Sequence, residues 1–316
     1  MEKNTKIITC VDCGQKFELT EGWQKLMQEH PEVQVPKRCY ACRQKRKREE
    51  KSRATETLDG IGKMKIIITG SEGYIGKRLQ ERLKQHEEVL NLDIKTGDDI
   101  TKSLAKYIFF KPDVIFHLAA LTSVEDSFKN PKETFRTNVW GTNNIMKLGG
   151  KIIFPSSATV YGNKRLAKEE NNLEPQSPYA ESKAVGEYFV QYSGLHYTIL
   201  RMGNVIGGEP TRVLKALKEG GKIFGDGTHT RDYIHIEDVL DAMIMAIDWE
   251  DGIYNIGTGI ETSVNQLADM MGVKKEYAPA KEEQDFISLD ISKASQKGWY
   301  PKNKLENYVK RLAKSN

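Results

Sequence analysis

The chain has 316 residues, 38% of them hydrophobic and 29% charged, with a net charge of +4; that length buries a large core and fits about two domains. No apolar run approaches the roughly 18 residues of a membrane span, and the start "MEKNTKIITC" lacks a secretion signal, so a cytoplasmic protein without a membrane partner is expected. The charge is lopsided, because residues 1–53 hold 13 Lys and Arg against 8 Asp and Glu while the remainder is balanced, which confines any attraction for polyanions to the N-terminal end.

Cysteine is confined there too. Cys10, Cys13, Cys39 and Cys42 form two C-x2-C pairs, "CVDC" and "CYAC", and the other residues contain none. Each pair offers two thiolates from one tight turn, and four sulfurs close a tetrahedral zinc site with no position left open for catalysis. A segment this poor in apolar residues would take its folding free energy from the metal. Two disulfides or four free thiols are the competing readings, and a reducing cytoplasm weighs against the former. The stretch also resembles a small zinc-binding domain of bacterial and phage proteins, with a Phe after the first pair and "PKRCYACR" around the second. Behind it, "RQKRKR" offers a nucleic-acid or protein partner a basic surface, or is simply a solvated helix or linker. We therefore expect a four-cysteine zinc ribbon over 1–48 and a polar linker over 49–63.

From residue 64 the pattern changes. "MKIIITGSEGYIG" is a short β-branched run followed by Gly70, Gly73 and Gly76, a turn through which backbone N–H groups approach a pyrophosphate at a helix N-terminus. Ile75, Leu79 and Leu83 then mark the core stripe of a helix. A second strand, "EVLNLD", ends in Asp93, placed to accept both adenosine ribose hydroxyls and to repel a 2′-phosphate, which favours NAD, although Lys95 could partly offset that preference. "GDDIT" offers Asp99 and Ile100 to the adenine. "KPDVIFHLAA" reads as a third buried strand ending in Leu118, Ala119 and Ala120, small enough in its last two residues to leave room for a cofactor. Strand and helix keep alternating through "KIIFPSS" and "YTILRMGNVIG", which predicts an α/β fold with a doubly wound parallel sheet.

The ordered set "TGSEGYIG", "HLAA", "NVWGTNNIM", "SSATVYG", "SPYAESK", "LRMGNVIG", "GDGTHTRDYIHIEDV", "YNIGTG" and "DISKASQKGW" resembles the extended short-chain dehydrogenases/reductases of the nucleotide-sugar epimerase and dehydratase type. The resemblance covers 64–316. It implies a Rossmann-like NAD-binding part, mainly 64–207, and a smaller C-terminal substrate lobe, mainly 208–316, with sheet elements interleaved. Tyr74 and Ile75 would join the glycines, Asp93, Asp99, Ile100, Leu118, Ala119, Ala120 and Ser156 around the cofactor, with Asn138 supporting the active-site helix.

Tyr179 and Lys183 lie four apart on one helix face. A phenol is a poor base at neutral pH, and a neighbouring ammonium together with a positive nicotinamide ring favours the phenolate. Tyr179 is then the acid/base, and the resemblance implies that Lys183 also holds the nicotinamide ribose and that Ser157 contacts the reacting sugar oxygen. Dehydratases of this type carry an Asp-Glu pair after that serine for eliminating water; here the two residues are Ala158 and Thr159, neither able to protonate a leaving hydroxyl. In the substrate half the resemblance assigns Asn204 and Arg231 to the nucleotide diphosphate, a task suited to the planar guanidinium fork. Two departures concern the substrate: the connection from Gly207 to Gly225 is short, and where many relatives have an arginine this chain offers Lys281 in "KEEQDF"; Asp290 fits the closing motif.

The resulting expectation is an NAD-dependent epimerase acting at C4 of a UDP-sugar, homodimeric through helices near 133–148 and 180–193. A 4-keto-sugar reductase, a dehydratase-type enzyme and an NAD-sensing module that binds nucleic acid or protein are the alternatives.

Overall fold

The computed structural model of the protein describes residues 7–18, 63–83, 87–208, 211–279 and 285–314. The chain divides into two compact units, 1–63 and 64–316. In the first, strands Ile7–Thr9 and Lys16–Glu18 pair antiparallel around a turn that carries Cys10 and Cys13. The Cys10 N–H donates to Gln15 O and its carbonyl accepts from Gly14 N–H, both at 2.9 Å. Cys39, Cys42, the basic run and linker residues 49–62 lie outside the described residues, as does Lys281.

The second unit is built on six parallel strands: β1 (Lys65–Thr69), β2 (Glu88–Leu92), β3 (Val114–His117), β4 (Lys151–Ser157), β5 (Tyr197–Met202) and β6 (Gly252–Ile256). Their order is β2-β1-β3-β4-β5-β6. Apolar residues run almost unbroken along these strands because both faces are covered. Alternation divides them: Ile66, Ile68, Phe116, Ile153 and Leu200 face one core, with helices α1 (Tyr74–Leu83) and, later in the chain, Ile236–Met245, whereas Ile67, Ile115, Ile152, Phe154 and Ile199 face the other.

The second face is covered by α2 (Pro131–Phe135), a π-helical turn over Arg136–Trp140, α3 (Gly141–Met146) and α4 (Pro178–Gln191). Ser177 caps α4 by accepting from Ala180 N–H at 3.1 Å, and Pro178 occupies the first turn, where its missing donor costs nothing. Gly186 lets α4 approach β4, since a Cβ there would lie 2.8 Å from the Phe154 ring.

A smaller lobe grows from the ends of the sheet. Strands 204–206, 230–235 and 261–263 form one small sheet, and 164–167 pairs parallel with 287–289. The buried Asp232 carboxylate binds these parts together, accepting from Thr258 N–H and Oγ1–H at 2.7 Å, Gly259 N–H at 2.9 Å and Leu289 N–H at 3.3 Å. The lobes are interleaved: β6 belongs to the large sheet though it follows much of the small lobe, and 164–167 belongs to the small lobe though it precedes β5.

Candidate active site

The strand order reverses at β1, which separates β2 from β3, and the crevice beyond the C-terminal ends of β1 and β3 is where such sheets bind ligands. Gly70, at φ 67°, turns the chain there. A Cβ on it would lie 2.7 Å from Ala119 N, so the loops after β1 and β3 meet backbone to backbone. Gly76 brings the first turn of α1 so close that a Cβ would lie 2.2 Å from Gly70 O. Inside this cradle the Ser71 hydroxyl is buried with no hydrogen-bond partner. An orphaned donor beside converging N–H groups at a helix N-terminus fits a pyrophosphate.

Asp93 is buried at the end of β2, accepting from Glu72 N–H and Lys95 N–H, each at 2.9 Å. The carboxylate is thereby fixed beside the glycine turn, and Lys95, bound to it by its backbone, has an exposed side chain. Asp99 accepts from Thr101 N–H and Oγ1–H, which pulls its carboxyl below the usual range. Ile100 is buried against Gly141 rather than open to solvent. Tyr74, Ile75, Leu118, Ala119 and Ala120 are partly buried around the same crevice.

The catalytic candidates converge from β4 and α4. Ser157 ends β4; its oxygen accepts from Thr159 N–H at 3.2 Å and Thr159 Oγ1–H at 2.9 Å. Tyr179, 9% exposed, shares a hydrogen bond with Ser157. Burial pushes the phenol up to about 12, and the Ser157 hydrogen bond opposes it. Desolvation dominates, and Ser157, rather than the expected Lys183, is the group that opposes it. Lys183 is itself buried and pushed down to about 8 by desolvation, opposed by Glu187, and its ammonium sits 4.2 Å from the centroid of the Phe154 ring. Ala158 is buried and Thr159 partly so; neither brings an ionisable group.

Asn138 lies in the π turn, 2% exposed. Its amide donates to Leu121 O and to Ser182 Oγ, both at 2.9 Å, and accepts from Leu121 N–H at 2.8 Å; Ser182 in turn donates to Tyr179 O at 2.7 Å. Asn138 thus ties the loop after β3 to the first turn of α4. Ser156, expected to face the cofactor, instead donates its hydroxyl to Glu187.

Asn204 and Arg231 lie on neighbouring parallel strands, where Asn204 pairs with Tyr233. Asn204 is exposed, and Arg231 Nη1 donates to Thr230 O at 2.9 Å. Asp290 accepts from Ser292 N–H at 2.8 Å, a turn-forming bond.

Five side chains escaped the sequence reading: Thr69, His117, Thr142, Glu187 and Arg201. Thr142 donates to Asn138 O at 2.6 Å, so its oxygen accepts from His117 Nε2–H at 2.9 Å. Nδ1 of His117 then accepts from the Thr69 hydroxyl at 2.8 Å, and that oxygen accepts from Ala119 N–H at 3.1 Å. This order of donors fixes one neutral tautomer, and burial, with the Lys183 charge, pushes His117 down to about 3. Glu187 and Arg201 form a buried ion pair directly behind Ser156 and Lys183. "HLAA" and the Lys183-to-Glu187 spacing were the only available signals for these groups.

Comparison with known proteins agrees with this geometry. Residues 66–257 match the family described as "NAD dependent epimerase/dehydratase family", and residues 5–51 match a "Probable treble clef domain". The "Putative UDP-glucose 4-epimerase" of Methanocaldococcus jannaschii is 37% identical over 78% of this chain and 96% of its own length. The crystal structure of UDP-glucose 4-epimerase from Thermotoga maritima with UDP-glucose superposes with a TM-score of 0.70 at 30% identity, covering 79% of this chain and 97% of that one. The Thermus thermophilus UDP-glucose 4-epimerase complex with NAD gives a TM-score of 0.70 at 27% identity over 79% and 98%.

Proposed function

Since the chain belongs to the NAD-dependent epimerase/dehydratase family, we propose that it binds NAD in the glycine cradle and inverts C4 of a UDP-sugar through a transient 4-keto sugar. The observation that carries this reading is the convergence of Ser157, Tyr179 and Lys183, with only Ala158 and Thr159 where a dehydrating acid and base would stand. Bound NAD would accept the C4 hydride and return it. Gly70, Gly73 and Gly76 would hold its pyrophosphate and Asp93 its adenosine ribose, with no 2′-phosphate tolerated beside that carboxylate.

Tyr179 takes the proton from the 4-hydroxyl and returns it. Left to its protein surroundings the phenol is too weak an acid for this, so a nearby cationic ring must oppose the burial that holds it at about 12. Ser157, whose lone pairs are engaged by Thr159, directs its own proton at the phenolate or the sugar oxygen. Lys183 remains an ammonium up to about pH 8, supplying positive charge and donors to the ribose. Arg231 and Asn204 meet the diphosphate, and inversion requires the 4-keto sugar to turn over before hydride returns.

Two further features belong to the reading. Cys10 and Cys13 supply one half of a structural zinc site, the other half falling to Cys39 and Cys42. Val185, Tyr188 and Tyr192 of α4 or its end, together with Trp140, are exposed apolar side chains that support a homodimer.

Purified protein incubated with UDP-glucose, UDP-galactose and their N-acetylated forms should interconvert one 4-epimer pair without net consumption of NADH. Tyr179→Phe should lower turnover by a factor of about 100 to 10,000 while NAD still binds. Turnover that consumes reduced cofactor stoichiometrically would instead establish a reductase, and the absence of turnover on every sugar, with salt-sensitive RNA or DNA binding, would sink the enzyme reading.

A further inference from the structure

Among the described residues, Glu187 and Arg201 form the one ion pair whose side chains are both almost wholly buried, 1% and 3% exposed. Arg201 Nη2 donates to Oε2 at 2.6 Å, and Nε reaches Oε1 and Oε2 at 3.0 and 3.2 Å. Ser156 donates to Oε1 as well. Arg201 Nη1 donates to Glu169 O at 3.1 Å, and the guanidinium lies 4.7 Å from the centroid of the Tyr161 ring. Such a pair is a poor way to gain stability, because two desolvated charges are seldom better than two well-packed apolar side chains. Its placement gives it another use. Glu187 lies one turn beyond Lys183 on α4, Ser156 directly precedes Ser157 on β4, and Ser156 is in register with Arg201 on β5.

We infer that Glu187 is a positioning residue for the Ser157, Tyr179 and Lys183 constellation: its carboxylate pins α4 to the ends of β4 and β5 and places a negative charge one turn from Lys183, while Arg201 holds that carboxylate in place. The inference rests on the catalytic reading of Lys183. The groups that face Lys183 are few. Tyr179 and Glu187 share its helix, the Phe154 ring comes from β4, His117 comes from β3 in a neutral form, and Arg201 comes from β5 behind Glu187. Of these only Glu187 opposes desolvation. Lys183 has no hydrogen bond or ion pair of its own among the described residues, so the carboxylate one turn away acts through space.

The test is the full chain carrying Glu187→Gln, which keeps the shape and drops the charge, and the double variant Glu187→Gln with Arg201→Met, which leaves no unpaired cation. Lys183 is titrated directly by competitive labelling with acetic anhydride from pH 6 to 10, read by peptide mass spectrometry. The labelling midpoint is expected to fall by about one pH unit or more in both variants. Turnover at pH 7 should fall roughly twofold or more, its high-pH limb moving down with the labelling midpoint, and KM for the sugar should stay within about twofold. Folded variants whose Lys183 labels as in the parent would overturn the inference and leave the pair a structural tie. A parent that turns over no sugar fails the proposed function instead, and the labelling shift still decides the role of the Glu187 charge.

Discussion

Lys183 is costly to bury. Its ammonium, at about 8 against 10.5 in an unfolded chain, is held in the folded state at a penalty of ~3 kcal/mol at pH 7. Below pH 8 both states carry the proton and the penalty is complete; between 8 and 10.5 the unfolded state binds more protons, so stability rises with pH. Lys183→Met should therefore raise the melting temperature of the cofactor-free protein at pH 7, abolish turnover, and lose its advantage as pH climbs to 10.5, which a series of thermal melts would show. At this scale the sequence was legible where chemistry repeats at short spacing: the four-residue step from Tyr179 to Lys183 survives in α4. Glu187 with Arg201 was not legible, since 14 residues separate them, one on α4 and the other on β5, and only the docking of α4 on β4 and β5 makes them partners.

Among the elements, the glycine turn is the least tolerant. A methyl at Gly76 would meet Gly70 O and Ser71 Cα, backbone atoms that cannot rotate away. Gly76→Ala should cost about 1–3 kcal/mol in chemical denaturation and weaken NAD retention more than tenfold by equilibrium dialysis, while Gly97→Ala, with nothing within 4 Å of a Cβ but φ 98°, tests the backbone cost alone. The parallel strands and their buried faces were visible as apolar runs. The π turn around Asn138 was not, because its residues read as ordinary helix; in the folded chain that turn carries the one amide that reaches both Leu121 and Ser182.

For the molecule as a whole, cysteine and charge set an N-terminal unit apart, and the change of pattern at residue 64 marked its end; the proposed zinc site rests on the spacing of its four cysteines. A chelator should withdraw one zinc per chain, measured by metal analysis, without changing turnover by 64–316 if the unit serves only recruitment. Interleaving of the lobes was visible in the motif order, whereas the pairing of 164–167 with 287–289 was not, since no local pattern names a partner roughly 120 residues away. That pairing, and the late arrival of β6, shape synthesis. When residue 207 leaves the ribosome the growing sheet has an uncovered β5 edge, and it stays open until 252–256 emerge to close it. A fragment ending at 207 should aggregate in light-scattering assays where one ending at 314 does not. Because the lobes interleave, the large sheet is completed only after much of the small lobe has been made, and the nascent chain must pass through a sticky, half-finished sheet before any cleft exists.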